Sequence, residues 1–401
     1  MNASKCQQHD IAVIGAGPAG CSAALVLARG GLDVVLIEKA TLPRYKTCGG
    51  ALIGRAYGLL PDSVSKAVER EYKSVELNFL TEGMHFMTTR QEPIILMTMR
   101  ADLDHVLATE AQRAGAHLIE GCGLHRISPS RDFVDLQTLK GTMRVKFVVA
   151  ADGANSFVAR EAGWGESHNL VPALEYEVFV DDPDFVRLSP TARFDFDVIA
   201  HGYAWVFPKR AHISMGILSM RRGRVNLQSA LERYFQLLEI TSVRKVERHG
   251  YVIPIGPRRG PLAKGRILLT GDAAGLVDPV TAEGITYAIQ SGRLAGLTLI
   301  ECFSKAPEVA QSYQSRLEEA ILPDLRAGRF LARLMYDHPR LRRWAFKMHG
   351  QALSEVVTDV VMGKRTYAGT LKQPSNYLKL FRSRRATKSQ STTHSEVASH
   401  V

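Results

Sequence analysis

Hydrophobic and polar positions at the start of the chain follow a strand–helix–strand order. Residues 10–14 (DIAVI) and 32–38 (LDVVLIE) are apolar runs that predict buried strands, and the small and apolar residues at 21–31 predict a packed helix between them. Two further buried strands are predicted at 145–151 (VKFVVAA) and 266–270 (RILLT). This succession predicts an α/β domain that contains a βαβ unit.

Two stretches interrupt the α/β pattern. Residues 73–100 and 171–255 alternate polar and apolar positions, as half-buried antiparallel strands do, and 193–198 (RFDFDV) is the clearest case. A long helix is predicted at 283–302, and the pattern is helical again from about residue 308 to 381. The chain therefore predicts a β-rich domain inserted into a nucleotide-binding domain, followed by a helical region.

Domain boundaries follow from these changes of pattern. The predicted units are a discontinuous nucleotide-binding domain at 1–72, 101–170 and 256–304, a β-rich substrate domain at 73–100 and 171–255, a C-terminal helical region at 305–381, and a basic tail at 382–401. The tail is polar and contains few apolar residues, so it is predicted to be disordered.

A glycine-rich turn, GAGPAG at 15–20, joins the first predicted strand to the first helix. Gly15 permits the tight turn, Gly17 lets the backbone approach a pyrophosphate, and Gly20 allows close packing of helix and strand. Ala19 lies at the start of that helix, whose N–H groups face the phosphates. Glu38 ends the second strand, where a carboxylate accepts hydrogen bonds from a ribose diol. These features predict a dinucleotide site.

Two later segments favour FAD over NAD as the dinucleotide. The first is ADGANSFVAR at 151–160, in which Asp152 follows a strand; the second combines Asp272, after another strand, with Gly284 and Ile285 at the start of the long helix. An acid at a strand end suits a second contact along an extended cofactor. Asp272 is placed to bind ribityl hydroxyls, and the helix dipole at Gly284 is placed to face the polar edge of a flavin.

Two more motifs carry a resemblance to a known family. PRYKTCGG at 43–50 resembles the PxxYxxCGG stretch of the geranylgeranyl reductases, and GYAWVFP at 202–208, with Gly216 beyond it, resembles their YxWxFP…G motif. That family belongs to the p-hydroxybenzoate-hydroxylase-like superfamily. The resemblance implies a Rossmann-type FAD-binding domain with an inserted antiparallel β-sheet substrate domain and a C-terminal helical region. It also implies reduction of carbon–carbon double bonds in prenyl chains.

The resemblance also implies contacts of individual residues with FAD. Arg100, just before a helix predicted at 102–114, would contact the cofactor, and the Leu124 backbone would meet the adenine. Cys48 and Gly49 would lie beside the isoalloxazine, while the ribityl-pyrophosphate and the ring would be held by Asp272, Gly284 and Ile285. One departure is visible: Ala159 stands where the superfamily has arginine, and Arg160 follows it.

Candidate substrate contacts lie on the motif at 202–208. Tyr203, Trp205 and Phe207 project from one face of a predicted strand, where they either pack a core or wall an apolar tunnel. Gly216 on the next strand is interpreted as leaving room, which favours the tunnel. Cys48 is the candidate catalytic residue, as proton donor to the alkene or as a group that tunes the flavin; a packed structural thiol is the alternative.

Composition and cysteine usage exclude several classes of protein. Of 401 residues, 45% are apolar and 23% charged, as in globular proteins with a sizeable core. No apolar run approaches the ~18–20 residues of a membrane-spanning helix, and the polar start predicts no secretory signal peptide. Five scattered cysteines without a CxxC pair exclude a disulfide scaffold and indicate the cytoplasm. No histidines or acids have metal-ligand spacing, so no metal is predicted.

The net charge of +11 is concentrated near the C-terminus. Residues 326–401 hold 15 Lys/Arg and 4 Asp/Glu, which leaves 36 of each in residues 1–325. A basic surface of this kind docks on anionic lipid headgroups, as in a peripheral membrane protein, or is simply solvated. A nucleic-acid partner is not expected, because no nucleic-acid-binding motif accompanies the charge.

Three functions remain open at this point. The first is an FAD-dependent prenyl reductase, with NADPH or an electron-donor protein as transient reductant, since no second GxGxxG is present. The second is a flavin-dependent monooxygenase or halogenase of the same superfamily, because GYAWVFP also resembles the GWxWxIP stretch of flavin halogenases. The third is a non-catalytic flavin-binding redox protein.

Overall fold

A computed structural model describes residues 6–165, 169–220 and 225–372 of the chain. Its strands are β1 (Gln7–Ile14), β2 (Val34–Ile37), β3 (Ala51–Ile53), β4 (Val68–Tyr72), β5 (Ser74–Phe79), β6 (Met84–Thr89), β7 (Ile95–Thr98), β8 (His117–Ile119), β9 (Leu124–Pro129), β10 (Val134–Thr138), β11 (Gly141–Ala150), β12 (Leu170–Val180), β13 (Ala192–Phe196), β14 (Gly202–Pro208), β15 (Ile213–Ser219), β16 (Val243–Pro254), β17 (Ala263–Lys264) and β18 (Ile267–Leu269).

Helices connect these strands and form the C-terminal part of the described chain. They are α1 (Pro18–Arg29), α2 (Gly54–Tyr57), α3 (Arg100–Arg113), α4 (Phe157–Ala159), α5 (Asp182–Leu188), α6 (Leu227–Leu237), α7 (Gly271–Ala274), α8 (Ile285–Cys302), α9 (Ala306–Ala320), α10 (Leu322–Tyr336), α11 (Pro339–Val361) and α12 (Tyr367–Lys372).

The first sheet has the order β17-β18-β11-β1-β2-β8, and its central pairings are parallel. The strand β1 is fully buried at its carboxyl end, where it pairs with both β2 and β11. Helix α8 packs closely on α1, since a Cβ at Gly292 would lie 2.1 Å from the carbonyl oxygen of Ala19. This arrangement confirms the predicted α/β fold and gathers several strand ends at one edge, where ligands bind in such sheets.

The second sheet has seven strands in the order β16-β12-β15-β14-β13-β5-β6. Its pairings are antiparallel, except that β13 runs parallel to β5. The two faces of β14 are packed differently: Tyr203, Trp205 and Phe207 join the core shared with the first sheet, whereas Ala204 and Val206 join a second core beneath α6. The aromatic face of this sheet therefore looks toward the first sheet.

A third, three-stranded sheet was not anticipated. Strand β7 (Ile95–Thr98) pairs with β3 and β4, whereas the sequence pattern placed residues 95–98 with the inserted β-rich domain. All four residues of β7 are buried, so the strand has no alternation of polar and apolar positions that would assign it to one sheet. This small sheet lies between the motif at 43–50 and helix α3.

The C-terminal helices α10 and α11 cover the end of the second sheet. Phe346 on α11 contacts Phe79 at 4.4 Å between ring centroids, and Arg342 pairs with Asp197. None of the helices in the described ranges is both long and apolar enough to span a bilayer. The basic tail predicted to be disordered, 382–401, lies outside the described residues.

Candidate functional site

A cavity of about 1470 Å³ lies between the first sheet, the aromatic face of the second sheet and helices α10 and α11. All but two of the predicted site residues border it, namely Gly15, Gly17, Ala19, Glu38, Cys48, Gly49, Arg100, Leu124, Asp152, Tyr203, Trp205, Phe207, Asp272, Gly284 and Ile285. Pockets for one small molecule have about 300–1,000 Å³. The volume therefore accommodates a cofactor together with a substrate.

The glycine-rich turn forms one end of the cavity. Gly15 has φ +103°, and a Cβ there would lie 2.4 Å from the carbonyl oxygen of Ala151. Both the backbone conformation and the lack of space therefore exclude a side chain. Gly20 does not border the cavity; its role is structural, since its own Cβ would lie 1.8 Å from the Gly15 oxygen. A Cβ at Gly17 would lie 3.6 Å from Nη2 of Arg100, so the guanidinium lies close to this glycine on the cavity wall.

Glu38 is buried beside this turn. Its carboxylate accepts hydrogen bonds from the backbone N–H groups of Ala16 (2.8 Å) and Ala40 (3.1 Å). The Nε of Arg44 lies 3.4 Å from the same carboxylate. Because a carboxylate has about four acceptor positions, Glu38 can hold the turn in place and still accept from a ribose.

An ion cluster that the sequence reasoning missed fixes the two arginines of this region. Asp104 is fully buried, accepts two hydrogen bonds from Arg100 at 2.8 Å each, and accepts one from Arg44 at 3.0 Å. A detectable signal was present, because Arg100 and Asp104 are four residues apart on one helix. Asp104 thus fixes two guanidiniums at this end of the cavity, where their remaining N–H groups can donate to a phosphate.

Lys46 adds a third cation to the cavity wall. Its Nζ lies 3.3 Å from the ring centroid of Tyr251, and burial, together with Arg100, lowers the pKa of its ammonium to about 8. Asp272 faces these cations: burial raises the pKa of its carboxyl group, and Lys46 and Arg100 oppose that rise. Among the described residues, no side chain donates a hydrogen bond to the Asp272 carboxyl group, which leaves that group available to ligand hydroxyls.

The amino end of helix α8 meets Asp272 at close range. Gly284 precedes this 18-residue helix, and a Cβ at Gly284 would lie 3.3 Å from Oδ1 of Asp272. Glycine therefore permits the acid and the helix end to approach. Asp152 follows β11 and caps α4, since it accepts from the Ser156 hydroxyl at 2.5 Å and from the Val158 N–H at 3.0 Å. Asp152 has a structural role even before any ligand is considered.

The loop at 43–50 brings Cys48 to the wall of the cavity. Cys48 is half-buried, and a Cβ at Gly49 would lie 2.9 Å from the ring of Phe207 and 3.1 Å from Nε1 of Trp205. The fully buried Lys209 ties this loop down, because its Nζ donates to the carbonyl oxygens of Gly49 (2.6 Å) and Thr98 (3.0 Å). The sequence offered no signal for Lys209, which follows the aromatic motif directly.

The aromatic residues of β14 continue the cavity wall away from that loop. Ring centroids are separated by 6.1 Å between Phe207 and Trp205 and by 6.3 Å between Trp205 and Tyr203, and the hydroxyl of Tyr203 donates to the carbonyl oxygen of Thr281. The interpretation of Gly216 as leaving room in a tunnel is wrong. A Cβ at Gly216 would lie 2.0 Å from Cζ2 of Trp205, so the indole itself fills that space.

Comparison with known proteins identifies the family. An FAD-binding-domain family matches residues 8–320. The chain is 31% identical to digeranylgeranylglycerophospholipid reductase 1 of Methanopyrus kandleri, over 82% of this chain and 91% of that protein, and 31% identical to geranylgeranyl diphosphate reductase of Synechocystis, over 72% and 75%. The chain belongs to the geranylgeranyl reductase family of FAD-dependent oxidoreductases. The resemblance drawn from the two motifs is confirmed.

A solved structure shows the same fold. The geranylgeranyl bacteriochlorophyll reductase-like protein of Thermoplasma acidophilum superposes on this geranylgeranyl reductase family member with a TM-score of 0.71, at 22% identity, over 94% of this chain and 96% of that one. The fold class predicted from the sequence is thereby confirmed.

FAD is the cofactor of this family member, and the residues present fit it. The turn at Gly15 and Gly17 presents open backbone to a fixed cation, as a pyrophosphate requires. Glu38 is available to a ribose, and Asp272 with the α8 amino end is available to ribityl hydroxyls and a flavin edge. Each of these groups lies on one continuous wall of the cavity.

A buried acid behind Cys48 also escaped the sequence reasoning. Glu175 on β12 borders the cavity and is 1% exposed; its Oε1 accepts from the Ser214 hydroxyl at 2.9 Å, while the buried Oε2 has no hydrogen-bond partner among the described residues. Burial, with help from Glu177, raises its pKa from the usual 4.5 to about 8, although Lys209 and the Cys48 N–H oppose the rise. Glu175 is therefore largely protonated at neutral pH.

We expect Glu175→Gln to gain stability relative to the wild type as pH rises from about 4.5 to about 8. A carboxyl with a raised folded-state pKa contributes stability that is complete below pH 4.5 and is lost as pH rises through about 8. Denaturant unfolding should show the variant gaining about 2–4 kcal/mol over the wild type between pH 5 and pH 9. Glu232→Gln, on the exposed face of α6, should follow the wild-type curve; parallel curves for Glu175→Gln and wild type would contradict the expectation.

Proposed function

We propose that this protein reduces carbon–carbon double bonds of a prenyl chain, as the names of its relatives indicate for those proteins. One observation carries the proposal: the cavity is polar at the glycine-rich turn and apolar along β14, and Gly49, next to Cys48, lies where the two parts meet. Tyr203 and Phe207 are about 13 Å apart along the strand. A wall of that length without charges suits a flexible hydrocarbon.

The cofactor contacts that we propose come from eight separate stretches of the chain. They are Gly15, Gly17, Ala19, Glu38, Cys48, Gly49, Arg100, Leu124, Asp152, Asp272, Gly284 and Ile285, with Gly20 supporting the turn. Arg44 and Asp104 are added to this set, because Asp104 accepts hydrogen bonds from Arg100 and Arg44, and Arg44 also contacts Glu38. Tyr203, Trp205 and Phe207 are the proposed substrate contacts.

The proposed chemistry divides between the cofactor and the chain. Bound FAD, when reduced, supplies a hydride for one alkene carbon. The Cys48 thiol donates the proton that the other carbon needs, and the aromatic wall holds the chain so that one double bond faces the cofactor. Glu175 lies behind the Cys48 backbone N–H. Because its carboxyl group stays largely protonated at neutral pH, it places no negative charge on that side of the cavity.

The reductant and the location of the protein are further parts of the proposal. NADPH or an electron-donor protein reduces the flavin in a transient complex, since the described cavity holds a single glycine-rich dinucleotide turn. A prenyl-lipid substrate resides in a bilayer. We therefore propose a cytoplasmic protein that contacts the membrane peripherally.

The direct test is turnover under anaerobic conditions. Protein with photoreduced flavin is mixed with geranylgeranyl diphosphate, and mass spectrometry should find products with two added hydrogens for each reduced bond. We expect Cys48→Ala to keep FAD but to reduce at a rate about 100-fold lower, as loss of a proton donor predicts. Cys302→Ala, a half-buried thiol at the end of α8, serves as the control and should match the wild type.

Two outcomes would count against this function. Oxygen consumption with an oxygenated or halogenated product would favour the monooxygenase or halogenase alternative. A reduced flavin that persists in the presence of prenyl substrates, with no product of any kind, would favour a non-catalytic redox protein. Equal rates for Cys48→Ala and the wild type would leave the reaction in place but remove Cys48 as the proton donor.

A further inference from the structure

Three large apolar side chains are exposed where α10 and α11 meet. Phe330 is 54% exposed, Leu341 45% and Trp344 59%. Leu341 and Trp344 lie three residues apart on one face of α11, and both border the cavity. Phe330 lies one helical turn before Leu334, which also borders the cavity. These exposed side chains therefore surround an opening of the apolar part of the cavity.

Positive charge accompanies these apolar side chains. Residues 326–347 contain seven Lys/Arg and one acid, Asp337. Three of the cations are paired, with Glu318, Asp197 and Glu82 as their partners. Within the described parts of the chain, no carboxylate lies at ion-pair distance from the other four, which are exposed: Arg329, Arg333, Arg340 and Lys347.

We propose that this corner, comprising Phe330, Leu341 and Trp344 with the four unpaired cations, docks on the surface of an anionic lipid bilayer. Tryptophan and phenylalanine suit the boundary between headgroups and acyl chains, and lysine and arginine attract anionic headgroups. This proposal rests on the proposed function, because reduction of a prenyl lipid gives the protein a reason to contact a bilayer. A prenyl chain can then pass from the bilayer into the cavity without crossing water.

Charge argues against the other occupants of this surface. The tail at 373–401 contains five Lys/Arg and one Glu, so it does not complement a basic corner. A second copy of the chain would bring the same positive charge. An acidic electron carrier would match the cations but would leave three large exposed apolar side chains without apolar partners, whereas acyl chains supply such partners.

The corner is also held rigidly, as a docking surface requires. Arg342 pairs with Asp197 on the second sheet, and Phe346 packs between Phe79 and Phe86, with ring centroids 4.4 and 5.8 Å away. Because α11 is anchored from beneath, the side chains on its outer face keep their positions when the protein is free. Docking then costs little conformational entropy.

Flotation of the full chain with vesicles tests the proposal. Vesicles of phosphatidylcholine with 30% phosphatidylglycerol should bind the protein at about 50 mM salt and release it at about 1 M, where the Debye length is ~3 Å. Arg333→Gln/Arg340→Gln should bind about 30-fold more weakly, since each cation contributes about fivefold near such a surface. Lys73→Gln/Arg126→Gln removes the same charge from exposed positions elsewhere and should bind like the wild type.

Insertion of the apolar side chains is tested separately. Trp344→Ser should weaken binding about tenfold, whereas Leu139→Ser, an equally exposed apolar residue elsewhere, should not. Brominated acyl chains should quench part of the tryptophan fluorescence of the wild type but not of Trp344→Ser. Three results would each overturn the proposal. Corner and control variants could bind vesicles equally, truncation after residue 381 could abolish binding, or sedimentation could show a dimer that depends on Trp344.

The outcomes separate docking from catalysis. Vesicle binding needs no turnover, so binding without prenyl reduction would sink the proposed function and leave docking intact. The double variant Arg333→Gln/Arg340→Gln should reduce geranylgeranyl diphosphate in free solution at the wild-type rate but should bind vesicles more weakly. That result would support both the docking surface and the proposed function. If the wild type reduces this substrate but does not bind vesicles, the docking proposal is contradicted and the proposed function is not.

Discussion

Glu38→Arg should weaken FAD binding about 1000-fold. The substitution removes the acceptor for the Ala16 and Ala40 N–H groups and places a second buried cation beside Arg44. FAD also loses its ribose acceptor, and losing one partner of a buried, charged hydrogen bond to a ligand costs about 2–5 kcal/mol, a range that includes that factor. Titration of the apoprotein with FAD, followed by flavin fluorescence, measures the change.

Glu38→Gln is the matched variant, and it keeps the test valid where the arginine variant does not fold. Its amide oxygen still accepts from Ala16, while the charge opposite Arg44 is lost, so we expect a loss of about tenfold. Glu120→Gln changes an acid that bonds the Leu42 N–H outside the turn and should bind FAD like the wild type. Wild-type affinity in Glu38→Gln and in a folded Glu38→Arg would contradict the assignment of Glu38 to the ribose.

Gly216→Ala should lower kcat/KM for prenyl substrates about 100-fold while FAD stays bound. A Cβ at 216 would lie 2.0 Å from the Trp205 ring, so the indole must move toward the cavity and displace the chain. A displacement of about 1 Å at a reacting centre costs on the order of 100-fold in rate. Trp205→Ala is likewise expected to keep FAD and to impair turnover.

A double variant distinguishes displacement from general damage. Trp205→Phe has a smaller ring, so Gly216→Ala/Trp205→Phe should recover activity to within about tenfold of Trp205→Phe alone. If Gly216→Ala releases flavin, or if the double variant is no better than Gly216→Ala, Trp205 is a core residue and does not position the substrate. Flavin absorbance and kinetics with geranylgeranyl diphosphate are the measurements.

The parts of the site that sequence reasoning found are those fixed by local backbone geometry. The turn leaves no room for a side chain at Gly15 or Gly20, and this local requirement appears in the sequence as a glycine pattern that is visible without the rest of the fold. Glu38 and Asp272 were found for a related reason, because each ends or follows a buried strand whose carboxyl end reaches the ligand edge.

The parts that were missed depend on which distant segments meet. Glu175 lies opposite Gly216 in the pairing of β12 with β15, and nothing in either strand alone reveals that the acid lies behind Cys48. The same holds for Lys209, whose partners are the carbonyl oxygens of Gly49 in the loop at 43–50 and of Thr98 in the third sheet. The error over Gly216 has this origin too, because an absent side chain indicates a space but not which neighbour fills it.

Different stretches of the chain form the cofactor half and the apolar half of the cavity. The two halves can therefore change independently as such enzymes diversify. The cofactor half is built from the turn at Gly15, the Glu38 region and the start of α8, whereas the far end of the apolar half is built from α10 and α11. Substitutions at Leu334, Trp344 or Val357 can therefore alter which chain lengths enter while leaving the flavin surroundings untouched. Laboratory evolution of substrate range should accordingly begin in these two helices.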